Sequence, residues 1–267
     1  LPKHLRPSIR SVYVETGQTV LESFNLDPYL LNLKHHIEFA KRDQMLAWIE
    51  DSRPLIAFPG HCSNWDLLAA ALIAQGIPIT TTGRTAKTAS FQEYLTTFRN
   101  NYGVKTIWRS DKGNNNGVTR ELIRDLKRNR VVATMLDQDT HVGSIFTSFF
   151  GTLAATPSSL VELGIRKNAR FITSFIVRTG WSKYKILIDE IPSDLRVEEI
   201  LNTYNSRLEN LIEEYPSQWV WFHKRWRTLP TGKKLSTREY LKELKAYILK
   251  PANVSPTRTD RGVGLAD

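Results

Sequence analysis

One cysteine and two methionines are all the sulfur in a chain of 267 residues. A lone Cys62 has no intramolecular disulfide partner, and a zinc centre of the multi-cysteine kind is excluded by the same count. Long apolar runs are missing as well. The longest, Leu67 to Ala74, is eight residues, against the roughly 20 that a bilayer-spanning helix needs. No secretory leader is recognisable at the start. The chain opens on Leu1, so an anchoring segment ahead of it stays open as an expectation. Glycine is sparse at 14 residues and hydrophobic residues make up 41%, which excludes collagen-like, low-complexity and wholly disordered classes. A chain of this length buries a sizeable core without cross-links.

What is present in excess is positive charge. There are 37 Lys and Arg against 27 Asp and Glu, a net charge of +10. Such a balance suits an anionic partner: nucleic acid, a phospholipid surface or an acidic carrier protein. Residues 232–267 alone hold eight basic and four acidic residues, so part of the excess belongs to the tail.

Short apolar runs alternate with helical patterns along most of the chain. Pro54 to Pro59, Ile77 to Thr82, Val104 to Trp108, Val131 to Leu136, Phe171 to Arg178 and Lys185 to Asp189 are expected strands. Helices are expected over Ser63–Ala74, Ser90–Asn101, Thr119–Arg128, Pro157–Lys167 and Val197–Tyr215. The alternation predicts an α/β fold with a largely parallel central sheet flanked by helices, in which ligands bind at the carboxyl ends of strands. The expected division is a helical region over 1–50, a catalytic domain over 51–230, a C-terminal helix over 231–250 and a disordered tail over 251–267. Ser236-Thr-Arg-Glu239 opens that last helix as a capping box, with Leu241, Leu244 and Ile248 on one side.

The stretch Phe58-Pro-Gly-His-Cys-Ser-Asn-Trp-Asp66 carries the chemistry. It sets His61 at the end of a buried strand and Asp66 in the first turn of the next helix. Five residues along one helix place side chains about 140° out of alignment. With His61 in the loop, its ring is expected to fold back and meet Asp66, a dyad in which the carboxylate orients the imidazole. Gly60 is expected to allow the tight turn.

These residues resemble the His-x4-Asp/Glu motif of the lysophospholipid acyltransferase superfamily and, within it, the late lipid A biosynthesis acyltransferases. Thr82-Gly-Arg84 with Lys87 resembles the block holding a substrate-binding arginine. Asp137-Gln138, Gly143, Phe149-Phe150-Gly151 and Ala155-Thr156 resemble the Asp-Gln … Phe-Phe-Gly … Ala-Thr block. Pro216-Ser-Gln-Trp-Val-Trp-Phe-His-Lys-Arg225 resembles the Pro-x-Gln-Trp-x-Trp-x-His-x-Arg block. The four blocks come in the family's order, and the resemblance covers about residues 8–230. The chain departs in having Asp66 where the family commonly has Glu and in lacking the Tyr-Arg-Pro wording around Arg84, and the amino-terminal anchoring segment common in the family is not among these residues.

The resemblance implies a glycerolipid-acyltransferase-like fold and transfer of a fatty acyl chain from a thioester donor to a hydroxyl of a lipid A precursor or similar glycolipid. It implies His61 and Asp66 as catalytic residues, with Arg84, Gly60, Asn64, Asp137 and Gln138 binding substrate. No metal or cofactor is expected, and acyl carrier protein or acyl-CoA serves as co-substrate. The implied setting is the cytoplasmic face of a bacterial inner membrane, peripheral or anchored, with an anionic membrane surface as partner. The alternatives are acylation of another lipid, a phosphoglycolipid mannoside or lysophospholipid, and a silent relative binding membranes or nucleic acid.

Three neighbouring patterns compete. Cys62 beside His61 invites a Cys–His nucleophile, but adjacent side chains point apart. Asp137, Asp139 and His141 alternate closely enough to suggest a metal site, and equally a polar loop after a strand. Trp219, Trp221 and Arg225 lie in an aromatic–basic run that suits a membrane-proximal anchor, a single-stranded nucleic-acid platform, or alternating core tryptophans on a strand. With the family blocks in view, membrane proximity ranks above nucleic acid, for which no further motif is present.

Overall fold

The computed structural model describes residues 7–110, 116–140 and 143–249, the last six of them by backbone alone. The 251–267 tail and the Leu244 and Ile248 side chains lie outside the described residues, as does His141.

The first unit, up to Lys234, opens with α1 (Ile9–Glu22), capped by Ser8, whose side chain accepts from the Ser11 N–H. Then follow α2 (Asp27–Leu31), α3 (Leu33–His36), the two-residue β1 (Ile37–Glu38) and α4 (Arg42–Glu50). The alternating body runs β2 (Leu55–Phe58), α5 (Trp65–Ala74), β3 (Ile79–Arg84), α6 (Ala89–Asn101), β4 (Lys105–Arg109), α7 (Asn116–Leu126) and β5 (Val131–Ala133). It closes with β6 (Ser144–Phe149), β7 (Thr152–Pro157), α8 (Ser159–Arg166), β8 (Arg170–Gly180), β9 (Lys183–Ile191) and α9 (Val197–Glu214). A second unit begins at Leu235 and holds α10 (Thr237–Leu249), whose start is a capping box: Ser236 N–H donates to Glu239 and Glu239 N–H to Ser236 Oγ.

Seven strands form one sheet in the order β1-β9-β8-β2-β5-β3-β4. All pairs are parallel except β8 with β9. The expected α/β class with a largely parallel sheet is therefore the observed one. β2 and β5 are buried along their whole length, as strands covered on both faces must be. One core, around Ile56, Phe58, Val132, Phe171 and Tyr204, lies under α8 and α9; the other, around Ala57, Leu68, Ile79 and Ile176, lies under α4 and α5. At Gly164 a Cβ would sit 2.4 Å from the Phe171 ring, so only glycine lets α8 lie this close to the sheet.

Two features depart from the sequence reading. Residues 144–157 form the hairpin β6–β7, where only a helix beginning at Pro157 was expected; Pro157 ends β7 instead. Phe150 and Gly151, both with positive φ (50° and 69°), make the two-residue connection, the conformation that matches the twist of paired strands. The run from Trp219 to Arg225 is not a strand. It is a chain of turns with one isolated bridge between Cys62 and Trp219.

Candidate active site

Strand register decides which carboxylate His61 meets. Ala57 of β2 pairs with Ala133 of β5, and His61 and Asp137 each follow four residues further along their own strand. The two loops leave the sheet side by side. His61 Nδ1 lies 2.7 Å from Asp137 Oδ1, and the His61 backbone N–H donates to Asp137 Oδ2 at 2.8 Å. The indole N–H of Trp219 donates to Oδ2 as well, at 2.9 Å.

This corrects the expected pairing of His61 with Asp66. Asp66 turns away on α5 and accepts from Arg99 Nε of α6 at 3.0 Å, while Arg99 also lies over the Trp108 ring, 5.5 Å from its centre. The local spacing holds, but the helix carries the Asp66 carboxylate to the neighbouring helix rather than back over the loop.

Asp137 is almost fully buried. Burial alone would push its carboxyl pKa up. The proximity of the imidazole and the hydrogen bonds from His61 and Trp219 outweigh this and bring it down to about 2. It is therefore a permanent carboxylate at neutral pH. The hydrogen bond to it assigns the proton to His61 Nδ1 and leaves a lone pair on Nε2. Gln138 Nε2 donates to that nitrogen at 3.1 Å. The His61 ring is 19% exposed and packs edge-on to Trp65, with Nδ1 on the buried carboxylate and Nε2 on the Gln138 side chain.

The segment after α9 fastens this arrangement. The Gln218 side chain makes two 2.8 Å hydrogen bonds with the backbone of Arg178 in β8, accepting from its N–H and donating to its carbonyl. Ser63 N–H donates to the Gln218 carbonyl and Val220 N–H to the His61 carbonyl, zipping the histidine loop onto 218–220. Trp219 and Arg225 are buried, with 2% and 0% exposure, so they do not form the membrane-proximal surface expected of them. Arg225 donates to the Ala155 carbonyl and to Thr156 Oγ1 and stacks on Phe149, which ties β7 to the site loop. Trp221 is half-buried and donates to the Pro216 carbonyl. His223 Nε2 accepts from Asp139 N–H; burial depresses its pKa, so its ring stays neutral.

Other expected residues take different places. Asn64 is buried, and its side-chain oxygen caps α5 by accepting from Leu67 N–H at 2.9 Å. It is a helix cap and has no surface to offer a substrate. Gly60 does not make the turn: the left-handed residue there is Ser63 (φ 49°). A Cβ at Gly60 would lie 3.1 Å from Leu208 and 3.3 Å from Phe175, so glycine serves the approach of α9. Cys62 is buried, and burial followed by the Asp137 charge pushes its thiol well up, the reverse of an activated nucleophile. Asp139 accepts from both the backbone and hydroxyl of Thr228. Among the described residues no group of three or more His, Cys, Asp or Glu could hold a metal ion, and no helix is long and apolar enough to cross a membrane.

Arg84 ends β3, exposed, at the same carboxyl edge of the sheet. β3 lies two strands from β2, on the order of 10 Å across the sheet. Its register partner is Arg109, which ends β4 and is also exposed. Arg109 was missed by the sequence reading, because only the pairing of β3 with β4 brings the two arginines to one edge.

The chain matches the family model described as bacterial lipid A biosynthesis acyltransferase over residues 8–228. That stretch contains every site residue named above. No curated protein is similar enough to count as a match.

Proposed function

Since the chain belongs to the bacterial lipid A biosynthesis acyltransferase family, we propose that it moves a fatty acyl chain from acyl carrier protein to a hydroxyl of a lipid A precursor or similar glycolipid, with His61 and Asp137 as the catalytic pair. The observation that carries this reading is the polarised imidazole: Nδ1 on a buried carboxylate and Nε2 on the Gln138 amide, in a ring that stays partly exposed.

In the proposed reaction an acceptor hydroxyl takes the position now held by the Gln138 amide. His61 Nε2 removes its proton as the oxygen attacks the thioester carbonyl, and Asp137 stabilises the imidazolium that forms. The tetrahedral intermediate expels the thiolate, which takes the proton back from Nε2, leaving an ester and a free thiol. No covalent enzyme intermediate is required. The displaced Gln138 amide is a candidate donor to the oxyanion. Arg84 and Arg109 provide guanidinium forks for a phosphate on the acceptor. The excess of basic residues suits an acidic carrier protein as donor, with acyl-CoA the other donor to test. The proposed setting is the inner membrane at its cytoplasmic face, where acceptor and carrier meet.

The test is acyl transfer in detergent micelles, with labelled acyl carrier protein thioester and acyl-CoA offered separately to a tetra-acylated lipid A precursor and a lysophospholipid. Transfer to the lipid A precursor that disappears in His61→Ala is the expected result. Transfer only to the lysophospholipid replaces the acceptor. No transfer to either one, with wild type and variant alike, overturns the reading in favour of a silent relative.

A further inference from the structure

Helix α1 is amphipathic the wrong way round for a helix in water. Its inward side carries polar anchors. Glu22 takes a bidentate ion pair from Arg178 of β8 and a hydrogen bond from the Tyr184 hydroxyl, and Glu15 accepts from Arg178 Nε at 3.2 Å. Its outward side carries Ile9, Tyr13, Val14, Val20 and Leu21, exposed by between 51% and 77%. At 100° per residue these five fall within a sector of about 140°, opposite Val12, Glu15, Thr19 and Glu22. The ion pairs to buried Arg178 fix this orientation, so the apolar stripe faces outward by construction.

The stripe has neighbours at both ends. Beyond α1, exposed Phe24 contacts Tyr94 of α6, which stacks on exposed Phe91. At the other end Tyr13 packs edge-on to exposed Phe222, at 5.2 Å between ring centres. Phe222 precedes His223, so the apolar band ends beside the site loop. Scattered exposed apolar residues are ordinary in a monomer, but a connected band marks an interaction surface.

Charge identifies the partner. Both carboxylates of α1 are turned inward onto Arg178, and the exposed charged residue of the helix is Arg10. Lys87, just ahead of α6, is exposed too, as are two acids, Asp27 three residues after Phe24 and Glu93 of α6, so these charges balance along the band and the positive excess is that of the whole chain. A second copy of the chain would meet this band with the same net +10. An anionic lipid surface complements it in both respects, apolar side chains entering the acyl boundary while cations meet the headgroups.

We propose that the outward face of α1, continued by Phe91 and Tyr94 of α6 and by Phe222, is the face on which the protein docks to an anionic bilayer, with Phe222 leading from the lipid toward His61. This rests on the reading of the acceptor as a membrane lipid, and it moves the membrane contact from Trp219, Trp221 and Arg225 to α1, α6 and Phe222.

The experiment uses the buried position of Cys62, 2% exposed, which leaves the native chain without a reactive thiol. Leu21→Cys, and Trp181→Cys as the control on the exposed turn between β8 and β9, are labelled with an environment-sensitive fluorophore. Each is then titrated with vesicles of phosphatidylcholine alone or with phosphatidylglycerol added. The expected result is a blue shift and a several-fold rise at position 21 with the anionic vesicles, little with neutral ones, and none at 181. The double variant Val14→Asp/Leu21→Asp should lose at least about tenfold in vesicle co-sedimentation at an unchanged thermal midpoint. No change at position 21, equal changes at 21 and 181, or a change that follows protein concentration without lipid, as a second copy would give, overturns the proposal. Because no acyl donor is present, this outcome is independent of whether acyl transfer is found.

Discussion

His61 and Asp137 are joined twice, ring Nδ1 to Oδ1 at 2.7 Å and backbone N–H to Oδ2 at 2.8 Å. Two bonds from one residue to one carboxylate fix the plane of the carboxylate as well as the ring's position. Trp219 closes the remaining side of Oδ2. With its acceptor sites filled from three directions, Asp137 has little freedom to follow the ring if His61 moves. The pair is thus preorganised before any substrate arrives.

The two candidate carboxylates are separable by substitution. Asp137→Asn should lower acyl transfer by about 10² to 10⁴, the range expected for losing general base assistance. Asp66→Asn should cost less than about tenfold, since its partner Arg99 is held by Trp108 as well. Steady-state rates of the two variants, taken with circular dichroism to confirm folding, decide between the pairs. Equal losses would restore Asp66 to the catalytic role.

Asp137 also sets an acid limit on stability. Its folded pKa, about 2, lies below the ordinary 3.8. Its contribution is therefore full above the unfolded value and is lost as pH falls from about 4 toward 2, on the order of 2 kcal/mol in all. Urea unfolding across that interval should show the loss in wild type and a flatter profile in Asp137→Asn. Parallel profiles would assign the effect to other carboxylates.

His61→Ala should abolish transfer and also lower stability, by roughly 1–3 kcal/mol, because it leaves a buried carboxylate short of its main partner. Asp137→Asn in the same chain should recover part of that loss without restoring activity. If the double variant is no more stable than His61→Ala, the carboxylate is not the origin of the instability.

Cys62 carries the opposite expectation. Cys62→Ala should retain acyl transfer within about threefold, and maleimide should leave the folded wild type unlabelled. Loss of activity on thiol modification of the folded protein would reopen the nucleophile.

For the arginine edge, Arg84→Ala and Arg109→Ala should each raise the acceptor KM by about tenfold or more, the scale of a charge-assisted hydrogen bond of roughly 1.5–3 kcal/mol, while the donor KM stays put. A donor effect instead would move the thioester substrate to this edge.

Several parts of this architecture were open to reading along the chain. Apolar runs such as Leu55–Phe58 and Val131–Ala133 announce buried strands by composition alone. The helices between them show in their spacing, and His61 and Asp137 each fall just after a strand. The hairpin around Phe150 and Gly151 was hidden because Ser144–Phe149 lacks the apolar continuity of the central strands, and its turn type depends on two positive φ angles. Likewise the aromatic–basic run from Trp219 to Arg225 looks the same on paper whether it faces lipid or core.

The order of residues along the chain was enough to set the alternation of strands and helices, the largely parallel sheet this entails, and a histidine with several candidate partners at the strands' carboxyl ends. Those are properties of local periodicity and of which side chains water rejects. The pairs themselves depend on contacts between elements distant in the chain. Asp137, 76 residues from His61, meets it because β2 and β5 are neighbours in the sheet, while Asp66, five residues away, is carried off by its helix to Arg99. The same holds for α1, whose stripe of apolar residues would ordinarily face the core. Buried Arg178 holds Glu15 and Glu22 and so turns their side of the helix inward, which leaves the apolar face outside.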